Sequence, residues 1–143
     1  MPEFFAPEVL GTESIPNVKA SGAVQGGRLR RFRATIRYTG QAAADTVVLA
    51  NVPAGYTFAF GVLTASATAG ASATIAIGTA GSSGKYRAAA TFTAANTPTP
   101  FGVAAAVDDA PLTAAERVIA TIAVAALPNS ADFLVVDLYF SAP

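Results

Sequence analysis

The 143-residue sequence contains no cysteine, no histidine and no tryptophan. Without cysteine there is no disulfide framework. Without cysteine and histidine together there is no zinc site of the ordinary ligand types. Ser–His and Cys–His nucleophilic catalysis are excluded on the same ground. Charge is scarce as well: Asp, Glu, Lys and Arg make up 13% of the chain, against about 25% in an ordinary soluble domain. Nine basic residues balance nine acidic ones. A neutral chain lacks the dominant basic field of a free-standing nucleic-acid binder. With 52% apolar residues, disorder is not expected either. The length fits one domain, or one domain with an arm, and is enough for a core that needs no metal or disulfide staple.

Mean hydropathy is high, at +0.47. No charged residue lies between Thr46 and Gly84, or between Ala88 and Val107. A membrane-spanning helix needs about 20 consecutive apolar residues. The first stretch is broken by Pro53, Gly55, Gly61, Gly70 and Gly78, and the second by Pro98 and Pro100. No membrane span is expected. The opening MPEFFAPEVL holds Glu3 and Glu8 and no cation, unlike a secretory leader with its positive start. The low charge is better explained by surface covered by partner subunits, because interface cores are depleted in charge.

Residues 1–27 read as an extended arm. They hold Pro2, Pro7, Pro16, Gly11, Gly22 and the pair Gly26-Gly27, and proline restricts itself and its predecessor to extended backbone. Phe4, Phe5, Val9, Leu10 and Ile15 are more apolar than a solvated tail requires, although a frayed tail is the other reading. From Arg28 onward the pattern becomes one domain, 28–143. Phe32, Ala34, Ile36 and Tyr38 alternate with Arg31, Arg33, Thr35 and Arg37, the period of a half-buried strand. Asp45–Val52 is apolar on both faces and reads as an inner strand. In Tyr56–Thr64 the alternation puts Tyr56, Phe58, Phe60 and Val62 together. Ala73–Thr79 pairs Ile75 with Ile77. Lys85–Thr93 puts Tyr86, Ala88, Ala90 and Phe92 on one face. Asn96–Pro100 breaks the chain, since proline cannot donate to a ladder. In 113–127, Thr113-x-x-Glu116 fits a capping box, but Val118, Ile119, Thr121, Ile122 and Val124 are β-branched. A turn at 113–116 followed by a strand is preferred over a helix. Asp132–Phe140 is the last strand, with Leu134, Val136, Leu138 and Phe140 on one face. The expected fold is all-β: an antiparallel β-sandwich of seven or eight strands, jelly-roll-like, with an extended N-terminal arm.

Five of the nine basic residues lie within ten positions: Arg28, Arg30, Arg31, Arg33 and Arg37. Arg31, Arg33 and Arg37 form either a docking stripe for an acidic partner or a solvated face that blunts a sheet edge. A nucleic-acid contact is weaker, because no aromatic interleaves on that face. Asp108-Asp109, ahead of Pro111, is turn chemistry rather than an acid–base or calcium pair. Asp132 reads as a turn residue and Asp137 as a rim charge. Ser82 and Ser83 have no base beside them, and Gly78 and Gly81 open no phosphate loop. No catalytic constellation, metal site or cofactor site is found, and no enzyme is expected.

The runs VVLANVPAGYTFAFGVLTAS (47–66), ATIAIGTAGSSGKYRAAATFT (73–93) and PLTAAERVIATIAVAALPNSADFLVVDLYF (111–140) resemble small structural proteins encoded in tailed-bacteriophage head gene clusters. The resemblance covers about residues 28–140, and its motifs are structural. It implies a capsid-associated β-sandwich of the decoration or head-fibre type, made in the host cytoplasm and placed on the capsid exterior. Its partner would be the major capsid protein, bound by a homo-oligomer, a trimer by preference, with no nucleic acid or membrane involved. It carries no catalytic residues. The rival is a receptor- or glycan-binding module of a phage tail or head fibre, weakened by the absence of tryptophan. The candidate contacts are Phe4, Phe5, Val9, Leu10 and Ile15 on the arm and Arg31, Arg33 and Arg37 on the first strand.

Overall fold

The structure, a computed structural model, describes Pro16, Gly22 and residues 25–143. The arm residues Phe4, Phe5, Val9, Leu10 and Ile15 lie outside the described residues. Eight strands follow in order: β1 Arg28–Thr39, β2 Thr46–Val52, β3 Thr57–Ala65, β4 Thr74–Gly78, β5 Arg87–Thr91, β6 Thr99–Phe101, β7 Glu116–Ala123 and β8 Asn129–Ala142. One helical turn, Ala104–Val107, sits between β6 and β7. No helix among the described residues is long and apolar enough to cross a membrane.

The strands form two four-stranded sheets, ordered β1-β8-β3-β6 and β2-β7-β4-β5. β1 pairs with β8, β2 with β7, β3 with β6 and β4 with β5, all antiparallel. That nesting is a long hairpin rolled up on itself, the eight-stranded jelly roll. The fold class expected from the periodicity is therefore the one observed.

The core fills the space between the sheets. β8 contributes Leu134, Val136, Leu138 and Phe140, β1 Ile36 and Tyr38, β4 Ile75 and Ile77, and β7 Val118, Ala120 and Ile122, all buried. Burying each large apolar side chain contributes roughly 1.5–3 kcal/mol. Phe140 is the aromatic centre, meeting Phe32, Phe58 and Tyr86 at centroid distances of 5.8, 5.4 and 5.7 Å. These edge-to-face pairs suit the ring quadrupole.

Four details differ from the alternation read in the sequence. β2 is an edge strand, not an inner one. Its residue Val48 is exposed, and a bulge between Val48 and Ala50 interrupts its ladder. The strand buried on both sides is β4, where Ile75, Ala76, Ile77 and Gly78 are all buried. In β3 a bulge between Phe58 and Phe60 shifts the phase, so Phe58 faces the core and Phe60 faces outward. One extra residue exchanges the two faces of everything beyond it. β5 keeps only the ends of its expected face: Tyr86 and Phe92 are buried, whereas Ala88 and Ala90 are exposed beside a bulge. Finally, Thr99–Phe101 is a strand despite Pro100, because β6 lies at a sheet edge where a missing N–H is tolerated. β6 approaches closely because β3 has glycine opposite: a Cβ on Gly61 would collide with the Phe101 ring.

At one end of the sandwich lie the loops β1–β2, β3–β4, β5–β6 and β7–β8. Three of them hold a non-glycine residue in left-handed backbone: Ala44 (φ 77°), Asn96 (φ 53°) and Val124 (φ 70°). Val124 is β-branched and 74% exposed, so packing gives it little in return. Left-handed backbone costs an L-residue roughly 1–2 kcal/mol, and glycine's extra chain entropy offsets about 0.5–1 kcal/mol of the relief. Val124→Gly is therefore expected to raise the unfolding free energy by about 0.5–1 kcal/mol in urea denaturation. Lower stability would show that the turn is not strained.

Tyr38 donates its hydroxyl to the Ala67 carbonyl at 2.9 Å, and Tyr86 donates to Glu116. Burial, helped by Asp132, pushes the Tyr38 hydroxyl up to about 12. Burial and the bond to Glu116 also push Tyr86 up. The fold thus holds both phenols protonated, whereas an unfolded tyrosine ionises near pH 10. Their contribution to stability is intact below about pH 10 and is lost as pH rises from there towards 12. Denaturation at stepped alkaline pH should show that loss, and Tyr38→Phe should remove part of its pH dependence. A flat profile in this window would contradict the assignment.

Candidate interaction surface

Arg31, Arg33, Thr35 and Arg37 are exposed along the outer side of β1, and Phe32, Ala34, Ile36 and Tyr38 point the other way. The period-two pattern therefore assigned both faces correctly. β1 is an edge strand. Its partner β8 decides what each arginine meets. The register sets Arg31 opposite Tyr139, Arg33 opposite Asp137 and Arg37 opposite Phe133.

The three arginines are not equivalent. Arg33 makes a two-pronged pair with Asp137: Nε donates to Oδ1 and Nη2 to Oδ2, each at 2.7 Å. That fork-on-carboxylate geometry fixes both side chains. The bond to Asp137 holds the Arg33 guanidinium above its ordinary range. Asp137 is 7% exposed, so it is a buried counter-ion rather than the rim charge expected from the sequence. Arg37 stacks its guanidinium over the Phe133 ring, 5.3 Å from the centroid. Arg31 is exposed and stands across from Tyr139.

β3 extends this face on the far side of β8. Phe60 pairs with Tyr139 and the rings stack at 4.6 Å and 16°. Val62 lies beside Asp137, and Thr64 beside Val135. Phe60 is 41% exposed. The absence of aromatics among the arginines of β1 is therefore a property of one strand. The sheet interleaves Phe133 and Tyr139 with those arginines from β8. Asp132–Phe140 carried the signal: it is apolar at Phe133, Val135 and Tyr139 as well as on its core face, which is too much for a solvated outer face.

Among the described residues the acidic side chains form no group of three or more. Asp132 accepts from Ser66 and Ser130 hydroxyls, each at 3.0 Å, at the end of the sandwich where β8 begins. Asp108 and Asp109 follow the helical turn at the opposite end, where Asp109 accepts from the Ala110 N–H at 2.9 Å. A cavity of about 430 Å³ there is lined by Leu29, Thr57, Phe58, Val107, Asp108 and Asp109. The buried Thr57 hydroxyl has no hydrogen-bond partner among the described residues. Lys85 donates to Glu116 at 2.7 Å, which ties the β4–β5 loop to the start of β7. Among the described residues no group of three or more carboxylates could hold a metal ion.

No protein-family model matches the chain, and no curated protein matches it. Solved structures do. A chain of the cyanophage Pam1 capsid asymmetric unit superposes with a TM-score of 0.68 at 19% identity, covering 96% of this chain and all (100%) of that one. A chain of the capsid of Ralstonia phage GP4 gives 0.63 at 18% identity, covering 82% of this chain and 84% of the other. A chain of the Helicobacter pylori bacteriophage KHP30 capsid gives 0.59 at 13% identity, over 80% of this chain and 88% of that one. The fold is one that occurs in phage capsids. At these identities the likeness is one of fold.

The Arg33–Asp137 pair supports the face from within the sheet. Asp137→Asn keeps the volume but loses the charge that the fork of Arg33 engages. The expected result is a Tm lower by a few degrees and a rotated Arg33 side chain in a crystal structure or by NMR. An unchanged Tm with Arg33 still in place would show that the pair is dispensable.

Proposed function

We propose that the chain is a non-enzymatic structural protein of a phage virion that decorates and stabilises the capsid by binding the lattice of the major capsid protein. The observation that carries this reading is the end-to-end superposition on a chain of the Pam1 capsid. It is supported by the sparse charge, 13% of residues, and by an outer sheet face that is aromatic and basic instead of polar.

In mechanical terms the jelly roll is a rigid wedge between lattice subunits. Arg31, Arg33 and Arg37 line the strip that meets the lattice, Arg33 with its charge already paired to Asp137. The apolar arm residues Phe4, Phe5, Val9, Leu10 and Ile15 would lie along a neighbouring subunit. A homo-oligomer, a trimer by preference, multiplies weak contacts, since linked sites raise avidity by effective concentration. The chain would then reside on the exterior of the virion. The exposed Phe60–Tyr139 stack favours one second reading, a sugar-binding module of a tail or head fibre, because aromatic faces also receive sugar rings.

The test uses heads of the phage that encodes the chain, assembled with and without its gene. Heads lacking the chain should lose density at regular lattice positions and rupture at a lower temperature. Added purified protein should restore both. Heads with unchanged density and rupture temperature, or a protein found on tails and bound by glycans instead, would overturn the reading.

A further inference from the structure

The decorating role leaves open which side of the sandwich meets the lattice, and two faces compete. The outer face of the β2-β7-β4-β5 sheet carries Thr46, Val48, Asn51, Arg117, Ile119 and Thr121 and, among the described residues, no aromatic. The outer face of the β1-β8-β3-β6 sheet carries Phe60, Val62, Phe133, Val135 and Tyr139 around the paired Arg33 and Asp137. We propose that this second face is the docking surface, and that it fits a capsid-protein patch with an apolar depression for Phe60 and Tyr139 rimmed by carboxylates opposite Arg31 and Arg37.

Interfaces are enriched in aromatics and arginine at the centre, where a few residues carry most of the binding free energy. Here the stacked rings of Phe60 and Tyr139, 4.6 Å apart, form a pre-ordered anchor with little freedom left to lose. Arg33 is already satisfied by Asp137, so it stiffens the face and leaves its neighbours to the partner. Arg31 and Arg37 face aromatic rings on β8 and are exposed. Their cations are available to carboxylates. The net positive charge decides between partners. A second copy presenting the same face would set arginines against arginines, whereas an acidic surface neutralises them. Size agrees too. β1, β8, β3 and β6 have 12, 14, 9 and 3 residues; at about 3.4 Å per residue and about 4.8 Å between strands they give a face on the order of 600 Å². A specific interface buries roughly 800 Å² per partner.

This inference rests on the decorating role, and one binding assay separates the two. Heads lacking the chain are mixed with labelled full-length protein, and bound protein is measured by co-sedimentation across a salt series. Wild type and the control Arg117→Glu, on the other sheet, should bind alike. Phe60→Ala, and separately Arg31→Glu with Arg37→Glu, should each weaken binding by roughly 30-fold or more, with Tm held near wild type. The charge-reversed variant should also lose the salt dependence that wild type shows. If wild type binds and these variants bind equally well, the face is wrong while decoration stands. If wild type does not bind heads at all, the decorating role itself fails. If wild type binds polyanions such as heparin or single-stranded DNA as tightly as heads, through the same arginines, the acidic protein partner is overturned.

Discussion

Everything in this structure is referred to β8. It is the longest strand, it pairs on one side with β1 and on the other with β3, and its two side-chain sets do opposite work. Leu134, Val136, Leu138 and Phe140 close the core. Phe133, Val135, Asp137 and Tyr139 form the middle of the outer face. Because side chains alternate with a period of two, a slip of one residue would exchange these sets, exposing Phe140 and burying Asp137 among aliphatic side chains. The two-pronged Arg33–Asp137 pair and the aromatic cluster on Phe140 oppose that slip from opposite faces of the same ladder. Core and surface are therefore fixed by one register.

A jelly roll leaves four strand edges, and open edges invite uncontrolled pairing. Each edge here carries a device against it. β6 is three residues long and contains Pro100. β5 is bulged against β4, and Arg87 folds its guanidinium onto the carbonyls of Ile75, Ala90 and Thr91 there. β2 is bulged at Leu49. β1 is long, with one irregularity between Arg37 and Thr39, and its five arginines repel a second copy of itself. Blunted edges disfavour strand-to-strand pairing between copies, which is compatible with the proposed docking through a face.

Much of this was legible beforehand. The strands at Arg28–Thr39 and Glu116–Ala123, and the Asp132–Phe140 part of the strand Asn129–Ala142, follow from alternation and β-branched content, and the arginine face of β1 is where the pattern put it. The failures have particular causes. The bulge at Ala59 moved Phe60 from the core side to the surface. The bulge in β5 freed Ala88 and Ala90. Pro100 signals a break in the sequence because no local pattern records that its strand lies at a sheet edge. Asp137 was assigned to a rim because its partner stands 104 positions away in the chain.

Alternation and turn residues were enough to determine that the chain folds as an antiparallel sandwich, and composition alone that it brings neither cysteine nor histidine to any site, because those properties depend on local backbone geometry and on which side chains exist at all. The strand order, the bulges and the neighbours of each arginine were decided by the tertiary structure alone. They arise from pairings between segments far apart in the chain, and no local period records which strand will stand opposite which.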